Sequence, residues 1–169
     1  PQPLPDGIGI AGGVINPAYR EYLGACLTAP LQAGVEYTLR MRVAAGAAQG
    51  DSIGGWDYVD IPPVGAVDIT LFGSASCPGW PVIPVFNGDC VVGVGDWAEL
   101  GAMTYVADGT WLTVTITFVP ATDILAVMIG APCGTAVPGS FSLTPDNPYF
   151  AYFLYDDLTL NETALFDPL

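Results

Sequence analysis

An all-β sandwich or barrel is the fold class this sequence predicts, and three observations predict it. Val, Ile, Thr, Tyr and Phe come in short runs, each broken by Gly, Pro, Asn or Asp. No apolar pattern of helical period survives for more than a few residues. Two stretches alternate cleanly with a period of two. In one, Tyr37, Leu39, Met41 and Val43 interleave with Thr38, Arg40 and Arg42. In the other, Leu112, Val114, Ile116 and Phe118 interleave with Thr113, Thr115 and Thr117. That period fits strands with one buried and one wet face. A chain of 169 residues is long enough to bury a full core as one domain.

Taken in order, residues 1–17 begin as a Pro-rich lead and become a short apolar strand around Ile8–Ala11. The lead reads either as a linker or as an arm able to pair with a neighbour's sheet edge. Arg20–Ala45 reads as a hairpin whose strands meet at Gln32-Ala33-Gly34, where Gly34 suits a positive φ. Gly46–Gly65 reads as a long polar loop carrying Asp51, Trp56, Asp57, Tyr58 and Asp60, and Val67–Ser74 as a strand. The Cys77–Cys90 segment is apolar for a loop and holds Trp80 and Phe86; exposed, it would be adhesive. Ala98–Val106, Trp111–Val119 and Asp123–Gly130 read as strands, with a turn at Asp108-Gly109. Cys133–Pro148 reads as a loop and Tyr149–Leu160 as the closing strand. The sandwich is thus expected over residues 18–162, between the lead with its first strand (1–17) and a tail (163–169). No internal repeat is visible.

Charge excludes several partners. Three Lys+Arg stand against 17 Asp+Glu, for a formal net charge of -14. Nucleic acid and anionic membrane surfaces both require clustered cations, which this chain lacks. No apolar run approaches the roughly 18 residues of a membrane-spanning helix, so no membrane insertion is expected. Charged residues are only 12% and mean hydropathy is +0.48. Two readings of that surface stand side by side: one rich in Thr, Ser, Gly and Ala, or one buried against copies of itself. Four cysteines without any His give no zinc spacing. Cys26, Cys77, Cys90 and Cys133 are expected to form two disulfides in an oxidising, extracellular or cell-surface setting. Cys77–Cys90 with Cys26–Cys133 is the pairing expected here, one of three possible. Pro1 is no initiator and no signal peptide is visible, so the chain is expected to be a mature or excised segment.

Several motifs together carry a resemblance. They are REYLGACLTAPLQAGVEYTL from Arg20, DITLFGSASC from Asp68, W-x-x-L-G across Trp97–Gly101 and W-x-x-V-T-I-T-F across Trp111–Phe118. I-G-A-P-C across Ile129–Cys133 and YFLYDDLTLN near the end complete the set. In this order they resemble the jelly-roll, galactose-binding-like modules of secreted surface proteins of Bacteroidota. Such modules accompany type IX secretion signals or gliding-motility-associated repeats. The resemblance implies a two-sheet antiparallel jelly roll, outside the cell, of the architecture shared with many carbohydrate-binding modules. It also implies that an Asp of the closing strand helps hold structural calcium, at Asp156 or Asp157. The chain departs from the pattern in having no secretion-signal domain and no Lys.

The residues allow few chemistries. With neither His nor Lys, catalytic triads and Schiff bases are excluded, and no carboxylate pair stands out, so no enzyme is expected. Asp156 and Asp157 are adjacent on a strand, so one should enter the core side. Calcium would neutralise it, or else Arg20, Arg40 or Arg42 would. Arg40 and Arg42 share one strand face and, with Trp56, Tyr58 and Trp80, form a candidate glycan site. The alternative is surface arginines paired with the surplus of acids. Asn161-Glu162-Thr163 has the form of an N-glycosylation sequon, and Ser52 lies in a candidate O-glycosylation motif. The function expected first is a structural or adhesive subunit that self-associates as a fibre, sheath or surface layer. The alternative is a non-catalytic carbohydrate-binding module.

Overall fold

The computed structural model describes residues 4–16, 19–50, 56–59, 66–77, 90–133, 141–144 and 147–166. Eleven strands run through them: β1 (Ala11–Asn16), β2 (Tyr19–Arg20), β3 (Leu23–Leu31), β4 (Tyr37–Gly50), β5 (Trp56–Val59), β6 (Ala66–Ser74), β7 (Ala98–Val106), β8 (Leu112–Phe118), β9 (Ile124–Gly130), β10 (Phe141–Thr144) and β11 (Asn147–Glu162). A single 3-10 turn follows at Thr163–Leu165.

The larger sheet runs β2-β1-β11-β4-β5, with β8 also paired to β4 and β10 to β11; the smaller runs β3-β9-β6-β7. Every pairing is antiparallel. With the short β2, β5 and β10 set aside, the first principal strand lies beside the last, the second beside the second-last, and so inward. The nested pairs are β1 with β11, β3 with β9, β4 with β8 and β6 with β7. A long hairpin rolled on itself gives that order, which is the jelly roll.

Period-two alternation builds the core between the sheets. Leu39, Met41 and Val43 of β4, Val114 and Ile116 of β8, and Phe153 and Tyr155 of β11 face Val67, Ile69 and Leu71 of β6, Tyr105 of β7 and Ile129 of β9. Tyr105 meets Phe153 edge-on, centroids 6.0 Å apart at 72°. Burying each such side chain contributes on the order of 1.5–3 kcal/mol. Burial raises the Tyr155 phenol far above its ordinary value, and the neighbouring Tyr105 adds to the shift.

A second, smaller core lies on the outer face of the small sheet. Phe72 of β6 and Ala126 and Met128 of β9 are covered there by Val91, Trp97 and Tyr22. Tyr22 meets Phe72 edge-on at 5.7 Å and lies against Gly130, where any Cβ would overlap its ring. The Ser74 hydroxyl donates to the Asp96 carboxylate and Ser76 donates to it at 3.1 Å, which fastens the covering segment. Two disulfides complete the seal, Cys26–Cys77 and Cys90–Cys133, with Cα separations of 5.5 and 5.1 Å. The expected pairing of Cys77 with Cys90 and Cys26 with Cys133 is therefore corrected. Cys77 and Cys90 bound one loop in sequence, but each is fastened to a different part of the small-sheet side.

Other expectations are also corrected. Arg20–Ala45 is no hairpin: β3 pairs with β9 in the small sheet and β4 belongs to the large one, so the turn crosses between sheets. That turn has Gly34 at φ 79°, and it is tied to the neighbouring β8–β9 turn by Gly34 N–H on the Pro120 carbonyl and Ala33 N–H on Asp123. The first strand lies at Ala11–Asn16, not around Ile8–Ala11. The stretch read as a loop over 46–65 contains the end of β4 and all of β5, and that over 133–148 contains β10.

Both flanking segments lie on their own subunit. β1 pairs with β11, and Asp6 N–H donates to Asp156. In the tail, Thr163 N–H donates to the Glu36 carbonyl and Phe166 lies under Arg40. The described parts of the lead and the tail thus pair within their own chain. No helix among the described residues is long and apolar enough to cross a membrane.

Candidate glycan-binding face

The outer face of the large sheet carries most of the expected site residues. In antiparallel pairing, residues opposite one another share a face, and so do residues two apart. The register therefore sets out rows across β8, β4 and β11. Thr113, Arg42 and Asp156 form one row, and Thr115, Arg40 and Thr159 the next. Thr117, Thr38 and Asn161 form the third, where Thr38 Oγ1 lies 3.0 Å from Thr117 Oγ1 and 2.9 Å from Thr163 Oγ1.

Further along β4 the same parity gives Ala44, Gly46, Ala48 and Gly50, a strip of small residues. Across from it stand Leu154 and Tyr152 of β11, then Phe150 with Ala48, while Tyr58 and Trp56 of β5 pair with Ala48 and Gly50. Aromatic positions thus flank the small strip on both sides. Tyr152 is half-buried, and its ring lies against Gly12, where a Cβ would come 2.5 Å from the ring edge. Arg42 and Ala48 are six residues apart, roughly 20 Å along a strand. The arginines and the aromatic positions of β5 therefore share a face but not a single contact point.

Asp156 and Asp157 sit differently from expectation. Between Asp156 and Thr159 the register shifts, and Asp157 has φ 49°. This is a β-bulge with a non-glycine residue in the left-handed region, which Asp tolerates better than most. Neither carboxylate enters the core. Asp157 is exposed, while Asp156 is 6% exposed on the outer face. Ala44 and Leu154 beside it are also buried, and the Asp6 bond places the lead over this spot. Asp156 Oδ2 accepts Asp6 N–H at 3.1 Å and Oδ1 accepts Asp157 N–H at 2.9 Å. Both oxygens thus have donors. A calcium ion needs about six to eight oxygens, and no group of three or more acidic, Cys or His side chains gathers among the described residues. Asp156 and Asp157 by themselves would supply only part of such a shell.

The two arginines also depart from the simple surface picture. Among the described residues neither Arg40 nor Arg42 has a carboxylate within 4.0 Å. Arg40 instead stacks over Phe166 at 5.4 Å. Asn161 is exposed, and its side-chain oxygen accepts Glu162 N–H at 2.9 Å. Trp80 and Ser52 lie outside the described residues. Tyr152, Phe150 and the small strip on β4 were not singled out from the sequence. The signal was there, in the run AAGAAQG and the aromatic alternation of YFAYFLY, but only the register connects the two.

No protein-family model matches the chain and no curated protein matches it, so the Bacteroidota resemblance rests on the residue motifs alone. Solved structures do show likeness. The carbohydrate-binding module of PbXyn10C is 14% identical with a TM-score of 0.47, over 95% of this chain and 73% of that one. A CBM4 module is 17% identical with a TM-score of 0.43, over 96% and 89%. The N-terminal cellulose-binding domain of β-1,4-glucanase C from Cellulomonas fimi is 14% identical with a TM-score of 0.44, over 96% and 82%. These are likenesses of strand layout, at low identity, to the two-sheet sandwich described above.

Proposed function

We propose that this chain is a non-catalytic, extracellular glycan-binding module that uses the outer face of its large sheet. One observation carries the reading: the register sets Tyr58, Trp56, Phe150 and Tyr152 along both sides of a strip of Ala and Gly on β4. Aromatic side chains suit the apolar faces of sugar rings, and the register brings these four positions to one face of the sheet. The length of that face favours an extended oligosaccharide over a single sugar. Two disulfides favour an oxidising compartment. The absence of His and Lys favours binding over catalysis.

Self-association as a fibre or sheath is less well supported, because the lead and tail are engaged on their own sheet. A glycan array followed by titration tests the proposal. Trp56→Ala and Tyr58→Ala should each weaken binding at least about tenfold, as removal of a stacking platform does. Failure of the intact chain to retain any glycan at a Kd of about 1 mM would end the reading.

A further inference from the structure

We infer that the charged end of this face, Arg42 and Arg40 with the hydroxyls of Thr113 and Thr115, recognises the acidic group of a sugar, a uronate carboxylate or a sulfate ester. The inference rests on the glycan reading and names the class of glycan. With 17 acids to three arginines, each arginine had many carboxylates to choose from. Arg20 has its Nε buried, on the two-residue strand at the sheet's edge. Arg40 and Arg42 are the cations of the outer face, and among the described residues neither takes a carboxylate.

The acid best placed to pair is Asp156, directly across from Arg42, and its two oxygens are already turned to Asp6 and Asp157 N–H. Arg42 is half-buried beside the exposed Thr113. Phe166 lies under the Arg40 guanidinium at 5.4 Å, a ring contact that takes up none of its N–H donors. Two residues apart on a strand, the two arginines leave the backbone about 7 Å from one another on the same face, a spacing that suits one anionic group or neighbouring ones on a chain. Charge-assisted, two-pronged hydrogen bonds to a carboxylate or sulfate are about twice as strong as neutral ones. The net charge of -14 repels a polyanion at a distance. At physiological salt that repulsion is screened beyond about 8 Å, and the contact lies inside that range.

The test is titration of the intact protein with polygalacturonate, dextran sulfate and a neutral β-glucan, and of Arg42→Gln and Arg42→Lys variants with the same three polymers. A thermal melt of each variant checks that the fold is kept. The expected result is preference for an acidic polymer, a loss of about tenfold or more in R42Q, and partial recovery in R42K. Neutral glucan binding should be the same in all three proteins. Preference for polygalacturonate assigns the site to carboxylates and preference for dextran sulfate to sulfate esters; equal use of both assigns it to either anion. Equal binding of neutral and acidic polymers with no change in R42Q would overturn the inference while leaving the glycan reading intact. Binding of no polymer in the titrations and no glycan on the array would overturn both.

Discussion

The two outer faces of this sandwich are built from the same kind of strand and treated in opposite ways. The small sheet's outer face is roofed by Val91, Trp97 and Tyr22 and pinned by both disulfides. The large sheet's outer face keeps Thr113, Thr115 and Thr117 in water, two arginines that take no carboxylate among the described residues, and short covers from the lead and the tail. One face is sealed into the structure, and the other is the face proposed above for recognition. A face carrying stability should be costly to alter, and a face reserved for contact should not.

The largest expected effect tests that contrast directly. Phe72→Ala, at 0% exposure in the roofed core, should cost about 3–5 kcal/mol, a fall in Tm of roughly 6–20 °C. Thr115→Ala on the open face should stay within about 0.5 kcal/mol. Equal losses in thermal melts would erase the distinction between the faces. Next comes the covalent seal: removing Cys90–Cys133 by a double Cys→Ser change should cost about 2–4 kcal/mol. The same wiring predicts a gel result. One cut between residues 78 and 89 should release two fragments without reductant, because each disulfide closes within one fragment. Fragments that stay joined on a denaturing gel would overturn this pairing.

How much of this was legible without coordinates differs along the chain. β8 and the first half of β4 were readable because one apolar face alternates with one polar face over seven residues. β6 was readable from its bounding turns. The partners of those strands were not: a turn such as Gln32-Ala33-Gly34 serves equally for a hairpin and for a crossing between sheets, and only long-range pairing decides. The bulge at Asp157 was hidden because its cause is pairing with β4. The roofed core was hidden because Val91 and Trp97 lie outside any strand pattern. Arg40 and Arg42 share a face by their spacing alone, whereas the want of an acidic partner among the described residues required coordinates.

Two smaller effects sharpen the comparison further. Asp156→Ala removes the side-chain acceptor of the Asp6 and Asp157 N–H groups and should cost about 0.5–1.5 kcal/mol. A chelator should leave the melting midpoint of the unaltered protein unchanged, and a drop of several degrees would bring an ion back into the account. Smallest is the pH response of Asp96, whose carboxyl is held below its ordinary 3.8, chiefly by the Ser74 hydroxyl. A depressed carboxyl stabilises the fold above its unfolded value, and the contribution disappears as pH falls through the lower folded value. Melts of Asp96→Asn should therefore show a slightly shallower loss of stability than the parent as pH falls below about 4. Identical slopes would remove Asp96 from the fastening of the roof.

The kink at Asp157 has a consequence for crowding. From Ala151 to Tyr155, β11 has a neighbour on each flank; from Asp156 to Glu162 its outward flank has none among the described residues. A bare margin of that kind would ordinarily invite another chain to zip onto it. Here the left-handed residue breaks the repeat at the point where zipping would begin, and its carboxylate stands in solvent beside it. That margin is therefore a poor template for fibrils, and copies of the chain packed densely on a surface can lie side by side without stitching together there.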